Sequence, residues 1–458
     1  MNKSTIRSQF FKYIFFNIIS TLGISVYILI DTFFIARGMG ADGLAALNLC
    51  LPIFNFINGF GLMLGIGGGS KFSMLYGHVE RRETDRVYSN AVYAALLISV
   101  LFQLTGLFFS RQVTTLLGAD TIVFDMAHSY LRTVLLFAPA FILNQLILCF
   151  MRNDCAPKLA MAGVLGSSAA NVVLDYLFIF RFGMGMKGAA LATCISPFIS
   201  LAIMGIHFAT GWNAFHLRFD LASPDSLRSI LSLGLYSLLT ELSGGIVILV
   251  FNFVIYRMLG NTGIAAYGII ANLAIVFTAI FTGLSGGVQP LMCKLRGERD
   301  ETGMRYLVRI SVVTALILAV GAYTAICLKT GMLVTLFNDS GNTQLQAFAE
   351  HGLRLYFIFL PFMGLNSIFV VYFTACELPT AAQLVSLLRG AMLVVPLAFI
   401  FFAFRSVNGI WLTIPIAEFL TLGVSSVICF FIAKPYETYV YYYQPPEPTV
   451  HSRPKQYF

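Results

Sequence analysis

The sequence predicts an all-α integral membrane protein, with twelve transmembrane helices in two pseudo-symmetric six-helix bundles. Three observations carry that prediction. Of 458 residues, 58% are hydrophobic and 11% charged, whereas a soluble domain carries about 25% charged residues. Apolar segments long enough to cross a bilayer, roughly 20 residues each, recur about twelve times. The second half of the chain also repeats the first.

The first span, 10–37, follows Lys3, Arg7 and Lys12. No A-x-A-like site follows a short apolar core, so it reads as a retained span and not a signal peptide. The others are 44–75, 86–109, 122–150, 158–180, 187–211, 226–258, 263–294, 304–328, 345–374, 380–404 and 407–433. Several exceed the length needed, which predicts tilt. Prolines at 52, 139, 197, 290, 361, 396 and 415 break backbone hydrogen bonding inside spans and predict kinks. The run "GIGGGSKFS" at 65–73 is not a phosphate loop, because Ser70 separates Gly69 from Lys71. It reads as close helix packing. ATP is therefore not expected as a direct energy source. After Lys434 comes a Tyr- and Pro-rich terminal tail.

Charge sets the orientation. With the N-terminus inside, inner loops collect about 19 Lys and Arg and outer loops about 7, as the positive-inside rule requires. The expected setting is the cell membrane, with both termini cytoplasmic. Topology explains the net charge of +8 without nucleic acid. The eight Cys are scattered without a CxxC and the six His do not cluster. Neither a disulfide framework nor a zinc site is expected, and no cofactor.

The repeat aligns "GADGLAALNL" at 40 with "GNTGIAAYGI" at 260. At an offset of 220, Gly40, Gly43, Ala45, Ala46, Leu64, Gly67 and Gly77 match Gly260, Gly263, Ala265, Ala266, Leu284, Gly287 and Gly297. At 222, Arg132, Phe137, Pro139, Asn144 and Pro157 match Arg354, Phe359, Pro361, Asn366 and Pro379. Near 221, Gly188 and Leu191 match Gly409 and Leu412. Six spans per repeat is an even number, so both halves cross in the same sense, related by an axis along the membrane normal. The expected domains are an amino-terminal lobe, 1–211, a cytosolic linker, 212–225, a carboxy-terminal lobe, 226–433, and a cytosolic tail, 434–458. Two lobes with a cleft between them suit alternating access.

Few acids fall within the spans: Asp31, Asp175, Glu241 and Glu418. An ionised carboxylate there costs about 2.5–3.5 kcal/mol, so it faces a bundle interior, holds a cation or becomes neutral. Tyr27 and Asp31 are four apart in the first span, Asn171 and Asp175 four apart in the fifth, so each pair shares a helix face. Thr193 lies in the sixth. Two carboxylates, an amide and a hydroxyl offer hard oxygens for Na+, and two close carboxylates would equally share a proton. Glu418 has no polar partner nearby in sequence and reads as a hydrogen-bonded structural group.

These residues resemble the multidrug and toxic compound extrusion (MATE) family. The acid of span one, N-x-x-x-D of span five and the Thr eighteen residues later are similar to its amino-lobe cation site. "YILIDTFFIARGMGADGLAALNLCLPI" resembles its first hairpin, and the DinF-like branch looks nearest. The resemblance implies efflux of amphipathic, often cationic compounds against inward Na+ or H+, by a protein that is not an enzyme and acts as a monomer among membrane lipids. It makes Asp31, Asn171, Asp175 and Thr193 the cation site, with possible Na+ ligation. Tyr27, Asn144 and Gln145 become cavity-lining candidates. Glu241 resembles a span-seven Glu of another branch, with shorter spacing from the preceding "GLY". Some relatives bend span one at a Pro; none lies between 10 and 37, so span one bends at Gly23 or not at all.

Two other functions fit less well. A flippase for lipid-linked oligosaccharide or peptidoglycan precursors shares the two-lobe plan but needs a cationic cavity, and Arg132, Arg354 and Arg389 are placed near span ends. An intramembrane aspartyl protease needs Y-D and G-x-G-D, whereas this chain has Asp175–Tyr176 and "GMGAD".

Overall fold

A computed structural model describes residues 2–219, 223–335 and 343–433. The spans are α1 (Lys3–Gly40), α2 (Asp42–Leu75), α3 (Arg81–Leu116), α4, α5 (Pro157–Arg181) and α6 (Gly185–Ala209). The second half supplies α7 (Pro224–Gly260), α8 (Thr262–Gly297), α9 (Glu301–Thr335), α10 (Thr343–Ala375), α11 (Pro379–Ala403) and α12 (Val407–Phe431). Span α4 is a bent pair, Phe124–Leu136 and Ala138–Asn153, inclined at 52°. Its repeat partner α10 is interrupted by the 3-10 turn Phe357–Phe359. Both breaks have a sequence cause. Pro139 and Pro361 stand in the first turn of the following helix, where a missing N–H leaves nothing unsatisfied.

The backbone repeats closely. Gly40 and Gly260, at φ/ψ of 67/−155° and 64/−155°, join α1 to α2 and α7 to α8. Only glycine adopts this conformation without strain. Left-handed residues recur as Gly77 and Arg299, Cys155 and Glu377, and Gly183 and Arg405. The first of these pairs corrects the sequence alignment, which matched Gly77 with Gly297. Gly297 is still helical, and the helix ends, Leu75 and Gly297, are themselves displaced by the larger offset.

Each half has its own apolar core, one around Leu64, Ala91, Leu131, Phe150 and Ala190, the other around Phe251, Ile270, Phe281, Phe357 and Trp411. A third core joins the halves, where Phe10 and Ile14 of α1 meet Leu284, Val288 and Met292 of α8. Glycines bring the backbones together along this seam. A Cβ on Gly67 would collide with the Ile230 carbonyl, and one on Gly234 with the Met63 carbonyl. Gly283 and Gly287 admit α1 at Ile18 and Ile14. Gly67 and Gly287 are repeat partners, so the packing read into the glycine-rich run is found in both halves. Polar bonds cross the seam as well. Thr21 Oγ1 donates to the Ala279 carbonyl at 2.8 Å, Gln289 Nε2 donates to Ser70 Oγ at 2.6 Å, and Lys71 pairs with Glu377 at 2.7 Å. The halves therefore close on each other at the end of the molecule that carries Leu75, Pro224 and Gly297.

α1 has no non-helical residue before Gly40. Gly23 does not bend it but lets Leu165 of α5 approach. The segment after α6 is no free tether. Phe215 is buried among Phe72, Tyr88, Phe150 and Phe208. The Arg218 guanidinium donates to Asp85 at 2.8 Å, and the Ser223 N–H donates to Asn90 at 3.1 Å. The chain is thus held to α3 at Phe215, Arg218 and Ser223. The tail, 434–458, lies outside the described residues.

Overpacking a close helix contact costs about 1–3 kcal/mol. Gly234→Val is expected to lower the melting temperature of the purified protein and to raise cysteine labelling along the seam. Gly244→Ala, where no neighbouring atom lies within 4 Å, is expected to leave both unchanged.

Candidate functional site

α5 is polar inward and apolar outward. Asn171 and Asp175 are 1% and 0% exposed, while Val173 and Tyr176 are exposed. Small residues permit this. Gly163 and Gly166 admit Ser200, Met204 and Ile203 of α6, and Gly23 of α1 admits Leu165. α5 is thereby clamped between α1 and α6, with its polar face between them. Asp175 is the last α-helical residue before a π-helical turn, Tyr176–Arg181. Such turns are frequent at functional sites.

The four residues expected to form a cation site converge. The Asp31 and Asp175 carboxyl groups lie against one another across the α1–α5 contact. Asp31 is half-buried, so the pair has a deep member and a shallow one. Neither Asp175 oxygen has a hydrogen-bond partner, nor do Asp31 Oδ1, Asn171 Oδ1 and Nδ2, or Thr193 Oγ1, all buried. Buried polar atoms are nearly always satisfied, and several of the unmatched ones fall on these four residues. Their donors are hard oxygens, the set that suits a small hard cation or a proton. Among the described residues no three or more His, Cys, Asp or Glu converge as a metal cluster.

Tyr27 lies near both carboxyl groups. The structure adds a residue the sequence reading missed. The Tyr130 phenol, 3% exposed on the first segment of α4, approaches the Thr193 hydroxyl and Asp31. A tyrosine in an apolar helix reads as core, and the one available signal was the repeat, which has Gly352 there. In the second half the Trp411 ring lies 3.2 Å from where a Gly352 side chain would begin.

The remaining candidates stand apart from the pair in their contacts. Gln145 Nε2 donates to Asn58 Oδ1 at 3.3 Å and its stem packs on Gly61 of α2. Asn144 Oδ1 is buried without a partner. Glu241 of α7 packs across the seam on Gly59 of α2, its Cβ 3.3 Å from where a Gly59 side chain would begin.

The second half has no copy of the pocket. Phe251, Leu393, Leu397 and Ile414 stand at the repeat positions of Asp31, Asn171, Asp175 and Thr193, and all belong to its apolar core. Polar chemistry there lies elsewhere and corrects one reading, the placing of Arg389 near a span end. Glu418 does have partners, contributed by other spans. Asn366 Nδ2 donates to Oε2 at 2.7 Å, and Arg389 Nε and Nη2 donate to Oε1 at 3.1 and 2.9 Å. Arg389 is therefore not near a span end. It sits in a π-helical turn, Leu388–Met392, near the middle of α11. Arg132 and Arg354 are exposed.

Three kinds of similarity accompany this geometry. A family model described as MatE matches residues 17–177 and 237–400. A protein named multidrug export protein MepA from Staphylococcus saprophyticus is 27% identical over 89% of this chain and 90% of its own length. Its namesake from Staphylococcus aureus is 28% identical over 90% and 91%. Among solved structures, one described as MATE in complex with MaL6 superposes with a TM-score of 0.89 at 22% identity, covering 94% of this chain and 98% of that one. A MOP superfamily transporter from Pyrococcus furiosus superposes at 0.88 and 21%, covering 94% and 97%.

A carboxylate kept for structure stabilises the fold, whereas one kept for an exchangeable ion does not. Asp175→Asn is therefore expected to raise thermal stability in sodium-free buffer at neutral pH, by about 1–3 kcal/mol, because the amide carries no charge to oppose Asp31. A fall in melting temperature of that size would make Asp175 a structural residue.

Proposed function

The chain belongs to the MatE family, the multidrug and toxic compound extrusion transporters, and from that premise we propose that it is a secondary active exporter of amphipathic, often cationic compounds. It exchanges them for inward Na+ or H+ by alternating access of its two lobes, and the DinF-like branch is the one we infer. The observation that carries the reading is the set of buried, unpartnered oxygens on Asp31, Asn171, Asp175 and Thr193. The export activity in the names of its MepA relatives agrees with it.

The chain's own groups define the cycle. With the N-terminus cytosolic, the sealed seam is the cytosolic side, and this conformation opens outward. Asp31, the shallower acid, takes the ion first, and Asp175 shares it. Asn171 and Thr193 supply neutral oxygens, and Tyr130 orients the Thr193 hydroxyl. Neutralising the pair removes the penalty of two facing carboxylates in a dry bundle, which favours closure of α1 and α5 over the pocket. Substrate then leaves outward. Tyr27, Asn144, Gln145 and Glu241 are the side chains proposed to face it. One charge crossing about 150 mV supplies roughly 3.5 kcal/mol, enough for a gradient on the order of 300-fold. We assign the chain to the cell membrane, as a monomer.

Reconstituted vesicles with Na+ and pH gradients imposed separately test the reading. Dye efflux should follow one of the two gradients and fall at least about tenfold in Asp175→Asn, the equivalent of about 1.4 kcal/mol. Gradient-driven efflux at the wild-type rate in that variant would remove the carboxylate from the mechanism.

A further inference from the structure

The second lobe also carries a carboxylate at membrane depth, and its surroundings are of a different kind. Glu418 is near the middle of α12 and 4% exposed. Both of its oxygens are engaged. Arg389 reaches Oε1 through two nitrogens, and Asn366 holds Oε2. The third guanidinium nitrogen, Nη1, donates to Ser367 Oγ at 3.1 Å. Ser425 Oγ donates to Asn366 Oδ1 at 3.3 Å, and the Tyr356 phenol lies beside Glu418. Three helices, α10, α11 and α12, thus converge on one carboxylate, with a cation delivered by the chain itself.

With the guanidinium set aside, Glu418 Oε1 and Ser367 Oγ are the oxygens left facing its place, the hard-donor type that suits a small cation, while Asn366 holds the carboxylate from its other side through Nδ2. The repeat shows that the carboxylate and its cation are both additions to one half, Glu418 standing where the first half has Pro197. Asn366 and Ser367 correspond to Asn144 and Gln145, but Arg389 corresponds to Ser167. Arg389 is 14% exposed at its side chain, and its turn is wedged on Ser243 of α7 through Gly390. A guanidinium does not lose its charge in proteins, so this counter-ion does not leave in a transport cycle.

We propose that Arg389 is a tethered cation filling a latent monovalent-cation site at Glu418 and Ser367, so that ion exchange is confined to the amino-terminal lobe. The inference rests on the antiport reading above for its meaning, but its test does not depend on transport.

The test counts ions on the purified full chain in lipid nanodiscs. Radioactive Na+ binding and proton uptake are measured together, so that either ion is registered. Arg389→Gln strips the charge and leaves the oxygens, and is expected to bind one more Na+ per chain than wild type; a proton taken up in place of Na+ would overturn the proposal, since any buried carboxylate that loses its counter-ion protonates. Arg389→Gln combined with Glu418→Gln should return to the wild-type count. Arg389→Gln at the wild-type count while monodisperse would overturn the proposal. If that variant does not fold, the neutral replacement Arg389→Met with Glu418→Met decides, since exchanging a buried ion pair for apolar residues is often tolerated. An unchanged ion count there supports the proposal, and a loss of one ion means that Glu418 exchanges ions in the native protein. The antiport reading fails separately, through Asp175→Asn at the wild-type count.

Discussion

Two carboxyl groups facing one another inside a helical bundle, with no Lys, Arg or His among the described residues pairing with either, constrain everything around them. They do not both ionise in a dry setting unless a cation or a proton stands between them. The rest of the first lobe answers that constraint. α5 turns its polar face inward, small residues on α1 and α5 let the helices approach, and a π-helical turn begins right after Asp175. On the proposed antiport reading, the unmatched oxygens would be the free-energy reservoir that ion binding releases, and so would link a small ion to a large rearrangement.

The two lobes share a backbone and differ in chemistry. The same glycine joins, left-handed turns and broken spans recur at matching places, so the repeat supplies a symmetric machine for rocking. Side chains then divide the work. One half keeps an acid pair without a basic partner. The other replaces that pocket with Phe251, Leu393, Leu397 and Ile414 and neutralises its own acid with Arg389. A symmetric scaffold needs only one charged lever, because the seam couples the halves through Gly67, Gly234, Gly283 and Gly287.

Much of this was legible in the chain. Twelve apolar runs and a half-length repeat define the architecture, since backbone polar groups in lipid leave helices as the natural solution. Asp31, Asn171, Asp175 and Thr193 stood out because local spacing on a helix is a reliable geometry and an acid in lipid is costly. What failed to show was tertiary. Tyr130 reads as core until α6 is laid beside it. Glu418 finds Arg389 and Asn366 far away in sequence, where no periodicity points. The role of Gly23 depended on which helix approaches it. The shift of register before Gly77 is invisible in residue matches, because glycine recurs two residues away from where the backbone needs its counterpart.

The central claim is that Asp31 and Asp175 trade one ion between them. Infrared difference spectra of the purified protein, taken as Na+ is added or pH is raised, report protonated carboxyl groups directly. The account predicts a protonated-carboxyl band that disappears on that change and is missing in both Asp31→Asn and Asp175→Asn. A band that survives in both variants, or a wild-type spectrum unmoved by either ion, would contradict it.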